Sequence, residues 1–93
     1  MIIGICKVTI HIPGSATLKD RRKIVNSLKD KIRHNFNVSV AEVENSNLWQ
    51  KATLGIACVS DQKDYLAQTI SGILNMIKNN GEILITDSQI DFL

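Results

Sequence analysis

Ninety-three residues, a net charge of +2 and 44% apolar side chains describe one small globular domain and exclude a fibre, a disordered tail or a membrane span. A chain this short buries only about 60–65% of its unfolded surface, so its core is small and a partner would help it. Two cysteines, Cys6 and Cys58, build no disulfide framework, and a reducing cytoplasm is the expected compartment.

The opening MIIGICKVTIHIP alternates with a period of two, so it reads as a strand over residues 2–12 and not as a leader peptide. Ile2, Gly4, Cys6, Val8, Ile10 and Ile12 share one face; Ile3, Ile5, Lys7, Thr9 and His11 share the other. PGS then breaks the strand. Thr17 caps a helix that reaches about Asn35, and Asp20, three residues on, forms a short capping box with it. Leu18, Ile24, Val25, Leu28, Ile32 and Phe36 fall in one sector of that helix. Residues 37–44 form a second strand whose phase changes between Val40 and Val43, which calls for a bulge. Residues 53–60 are apolar on both faces, as a central strand is. Ser60 or Asp61 caps a second helix, whose inner stripe is Leu66, Ile70, Ile73, Leu74 and Ile77 and which Asn80-Gly81 stops. Residues 82–92 are the last strand.

The order βαββαβ predicts an α+β, ferredoxin-like sandwich: a four-stranded antiparallel sheet with two helices on one face, spanning residues 1–93 as one domain. The other face of the sheet is then open and carries Ile3, Ile5 and Thr9, with Ala57 and Val59. A face this apolar predicts a cover, either a second copy in a homodimer or another protein.

Signatures of chemistry are sparse. The loop after the first strand, PGSA, holds no Cys-x-x-Cys pair, and Cys6 and His11 have opposite parity on their strand. Two thiols alone make a poor zinc site, so both cysteines read as small buried apolar residues. An acylphosphatase would need an arginine in a glycine-rich phosphate loop; here the arginines lie on the helix and the loop has one glycine. His11 and His34 have no sequence-visible catalytic partner. No aromatic residue sits in the middle of the two central strands, where a base-stacking sheet would need it, and a G-x-x-G loop is absent. The expectation is a protein that is not an enzyme, with no catalytic, cofactor-binding or metal residues, no small-molecule substrate and no membrane.

The first helix is the unusual element. Residues 17–36 hold seven Lys or Arg against two Asp, a balance of +5; from a net of +2, the rest of the chain carries −3. Cations in the first turns oppose the helix dipole, at a cost of about 0.3–1 kcal/mol each when exposed. Lys19, Arg22, Lys23, Lys29 and Arg33 span one arc beside the apolar stripe and are the candidate phosphate contacts of a polyanion site. The simpler alternative, of equal weight, is a solvated face partly paired with acids such as Asp20, Asp30 or those of the last strand. Arg21 falls inside the apolar sector, and its expected place is the core edge with its head in water. Trp49, in NSNLWQKA between the second and third strands, either covers the small core or anchors a partner, and with Ile3 and Ile5 it is the candidate partner interface.

IIGICKVTIHIPGSATLKDRRK together with FNVSVAEVENSNLWQKATLGIA resembles the YlxP-like family of small bacterial proteins of undefined function, over nearly the whole chain. The resemblance implies a ferredoxin-like fold and no assigned catalytic residues. It also implies genes placed beside those of translation initiation factor two and ribosome-binding factor A. Ribosomal RNA, on the small ribosomal subunit, is the polyanion that this neighbourhood suggests.

Overall fold

The computed structural model describes residues 1–44 and 48–93. The elements run β1 (Ile2–His11), α1 (Leu18–Asn35), β2 (Ser39–Glu44), β3 (Lys51–Ser60), α2 (Lys63–Lys78) and β4 (Leu84–Phe92). One antiparallel sheet has the order β2-β3-β1-β4, and its neighbours pair β1 with β3, β1 with β4 and β2 with β3. Both helices lie on one face of it, α1 on β2 and α2 on β1, β3 and β4. This is the expected sandwich.

The alternation of β1 decides the two faces. Cys6, Val8, Ile10 and Ile12 point under the helices and are buried, as are Leu54, Ile56 and Cys58 from β3. Val25, Leu28 and Ile32 of α1 and Leu66, Ile70, Ile73 and Ile77 of α2 close the core from above. Each fully buried Leu, Ile or Val contributes about 1.5–3 kcal/mol.

The start of α1 follows its sequence signal. Thr17 is the N-cap: its hydroxyl accepts from the Asp20 amide at 3.1 Å, and Asp20 Oδ2 in turn accepts from the Ala16 amide at 3.3 Å. Leu18, expected in the core stripe, is 44% exposed. Arg21 takes the core-facing place instead, and its head is not in water: the residue is 6% exposed. Its Nε donates to the Lys51 carbonyl at 2.8 Å, and its guanidinium pairs with the Glu42 carboxylate. Burial is tolerated because Nε and Nη2, along one edge of the guanidinium, both find acceptors.

The start of α2 departs from expectation. Neither Ser60 nor Asp61 is its cap; Gln62 occupies that position without a side-chain cap bond. The Ser60 hydroxyl accepts from the Gln62 amide at 3.1 Å, so the serine closes the turn before the helix. α2 ends at Lys78, and the Asn80 side chain, accepting from the Glu82 amide at 3.0 Å, turns the chain toward β4.

The phase change in β2 is a bulge. Glu42 pairs with Leu54 and Glu44 with Thr53, so Val43 is the extra residue. Its side chain lies over Gly55: a Cβ built on Gly55 would stand 2.5 Å from Val43 Cγ1. Gly55→Ala should therefore lower stability by about 1–2 kcal/mol through overpacking. Val43→Ala in the same chain should restore most of that loss, as urea unfolding of the two single variants and the double variant would show.

Candidate nucleic-acid interface

Of the five cations expected to contact phosphate, the structure aligns four and separates one. At 100° per residue, Lys29, Arg22, Arg33 and Lys19 fall within one narrow sector of α1, next to the buried line of Arg21, Val25, Leu28 and Ile32. Lys19, Arg22 and Arg33 are exposed, and Lys29 is half-buried with its stem along the helix flank. Asn26 stands in the same sector and is exposed; the sequence reading missed it, although its place in the spacing 19-22-26-29-33 was visible there. Lys23 lies farther round the helix. It lines the groove between α1 and α2 with Asp20, Ser27 and Lys31, across from Asn75 and Asn79.

The pairing of these cations bears on both readings of the helix. Among the described residues, Lys19, Arg22, Lys23 and Lys29 make no ion pair. Arg33 is partly committed: Nη2 donates to the Val40 carbonyl on the edge strand at 3.0 Å, and Nη1 lies 3.6 Å from Asp30. Asp20 is occupied at the helix cap. The last strand offers no partner either, because β4 is the edge remote from β2, against which α1 packs.

The candidate partner interface is less uniform than its sequence suggests. Ile3 and Ile5 are half-buried on the open face and pair with Val59 and Ala57, which are exposed. The middle of that face is polar. Lys7 and Glu44 form an ion pair across it, Thr53 Oγ1 donates to Glu44 at 3.4 Å, and Asp87, Gln89 and Asp91 border it on β4. The Lys7 hydrogen bond and charge hold the Glu44 carboxyl below the usual carboxylate range. Trp49 is 48% exposed and lines a small cavity of about 330 Å³ with Ile10, His11, Leu48 and Thr86. Asn45, Ser46 and Asn47 of the same connection lie outside the described residues.

Cys6 and Cys58 are buried under the helices, as expected of small apolar side chains. Burial pushes both thiols up, and for Cys6 the neighbouring Cys58 adds to it. His11 shares the open face with Thr9 and pairs in register with Lys51, while Cys6 points to the other side. Among the described residues, no helix is long and apolar enough to cross a membrane.

Residues 3–90 match a family model described as "Protein of unknown function (DUF503)". The chain is 27% identical over 82 residues to "Uncharacterized protein YlxP" of Bacillus subtilis (strain 168), covering 88% of this chain and 89% of that one. Two solved structures share the fold. A de novo designed protein with ferredoxin fold, LFR1 1, superposes with a TM-score of 0.54 at 13% identity, over 100% of this chain and 84% of the other. The de novo designed protein Foldit4 gives 0.52 at 17% identity, over 98% and 96%.

The thiols yield a pH prediction. A group whose folded-state pKa is raised contributes stability that is present below its unfolded pKa and lost as pH rises beyond it. The urea midpoint should fall as pH passes the ordinary thiol value of 9.0, and Cys6→Ala with Cys58→Ala should flatten that fall. At neutral pH the native thiols should resist a water-soluble disulfide reagent until the chain is unfolded.

Proposed function

Because the chain belongs to the DUF503 family, whose description assigns no activity, function has to be read from the surface, and we propose a non-catalytic accessory protein that binds RNA through α1. The observation that carries this reading is the row of cations without acidic partners. Lys19, Arg22 and Lys29 stand along one flank, and the acids nearest to them are engaged elsewhere. Of the pairings a solvated face would use, only Arg33 with Asp30 is formed among the described residues. Instead an unneutralised row is held at the dipole-positive end and middle of a helix, an arrangement that costs stability unless an anion occupies it.

The polyanion suggested by the genomic setting of YlxP-like proteins is ribosomal RNA. The cytoplasm, where ribosomes work, is the corresponding location. Arg33 contributes less than the sequence implied, since its guanidinium already serves Val40 and Asp30. Lys23 faces the groove between the helices and is a secondary contact.

A second reading rests on a separate observation. Trp49 is half-exposed beside a small apolar cavity, and Ile3, Ile5, Ala57 and Val59 cluster at one end of the open face. Those groups would serve a homodimeric protein-interaction module. Its binding would tolerate salt and would be lost in Trp49→Ala but not in Arg22→Glu.

Co-sedimentation with purified small ribosomal subunits tests the first reading. The wild type should pellet at low salt and be released as salt rises, because each neutralised phosphate releases counterions. Lys19→Glu with Arg22→Glu should abolish pelleting while the far-UV circular dichroism stays unchanged. Failure of the wild type to pellet, or pelleting indifferent to salt, would sink it.

A further inference from the structure

Granting that α1 is the RNA-binding element, we propose that it grips the phosphate backbone of a duplex, independently of sequence, and not a single strand. Lys19, Arg22, Asn26, Lys29 and Arg33 repeat at intervals of three and four residues. That period of 3.5 keeps them in one ridge nearly parallel to the helix axis, drifting by about 20° per seven residues. From Lys19 to Arg33 the ridge is about 21 Å long at 1.5 Å per residue. It is a rigid rail, anchored near its start by Arg21 on the Lys51 carbonyl and at its far end by Arg33 on the Val40 carbonyl.

A duplex presents a rail of similar kind, because base pairing holds the phosphates of each strand at a fixed, regular spacing. A single strand is flexible, and proteins that hold one stack its bases on aromatic side chains. The ridge of α1 has no aromatic residue. Phe36 packs against Gly72, Lys63 covers the Phe92 ring, Trp49 lines the cavity with His11 and Thr86, and Tyr65 belongs to the first turn of α2. Three free cations and one amide can hold phosphate oxygens or a 2′-hydroxyl, and the deep, narrow major groove of an RNA duplex withholds its base edges from side chains.

The test is fluorescence anisotropy of the full chain with two RNAs: a duplex of about 16 base pairs and a polyuridine strand of equal length. The duplex should bind at least about tenfold more tightly, with a log–log salt slope of magnitude near 3 for the three free cations. A second duplex of scrambled sequence should bind equally. Arg22→Glu with Lys29→Glu should weaken duplex binding by more than about tenfold, since two phosphate contacts become repulsive, and Lys78→Glu, in the last turn of α2 and outside the ridge, should change it by less than about threefold. Polyuridine binding as tight as the duplex, a marked sequence preference, or indifference to the double variant would overturn the duplex assignment. If polyuridine is the better ligand and the double variant loses it, α1 still binds RNA and only the duplex assignment falls. If neither RNA binds, both readings fall.

Discussion

Arg21 is the cation of α1 that turns inward, and the placement of the others follows from it. A buried guanidinium is stable only when its donors are met, and here the Lys51 carbonyl and the Glu42 carboxylate meet them. Helix geometry does the rest. With Arg21 in line with Val25, Leu28 and Ile32, the residues at 19, 22, 26, 29 and 33 must stand on the adjoining flank, and Lys23 must turn toward α2. The same contact ties the helix to the base of β3. Gln50 adds to that junction: its carbonyl accepts from the Ile12 amide at 2.8 Å, and its side chain reaches the Pro13 carbonyl at 3.4 Å. The β1–α1 loop, the helix start and the entry to β3 are therefore joined at one end of the molecule.

The bulge at Val43 distributes charge as well as shape. In a regular strand Glu42 and Glu44 would point to the same face. With one extra residue between them, Glu42 pairs with Leu54 on the helix side and Glu44 with Thr53 on the open side. One glutamate then meets Arg21 beneath α1, and the other meets Lys7 on the open face. Both acids of β2 are engaged with cations that are not on the ridge. The ridge, which lies closest to that strand, then has Asp30 beside Arg33 as its one counter-charge among the described residues. The exposed Asp87 and Asp91 belong to β4, the opposite edge of the sheet. Separation of this kind gives the α1 side of the protein a positive field even though the net charge is only +2.

The open face shows how composition alone overstates an apolar surface. Ile3, Ile5, Ala57 and Val59 do cluster, but only toward one end of β1 and β3. Past them the Lys7–Glu44 pair and Thr53 cross the sheet, and the Trp49 cavity occupies the other end. No single strand discloses this division, because it arises from side chains of β1, β2 and β3 meeting across the register.

Local patterns in the chain were enough for the order and type of all six elements, the Thr17–Asp20 cap, the bulge between Val40 and Val43, the buried cysteines and the basic character of α1. These are signals of short range: a period of two or of 3.6, a side chain that reaches its own backbone, a run of like charges. Helix periodicity could also place Arg21 in the apolar sector. It could not reveal that its head is buried, because the acceptors are Glu42, 21 residues away, and Lys51, 30 residues away. Leu18 was misplaced for the same reason, its inward position being taken by the arginine. The split of the five candidate cations into a ridge, a groove residue in Lys23 and a partly spent Arg33 likewise belongs to the tertiary structure alone. A helix sequence determines the angles between its side chains; only the packing of that helix on β2 decides which of those angles faces water and which charges are already answered.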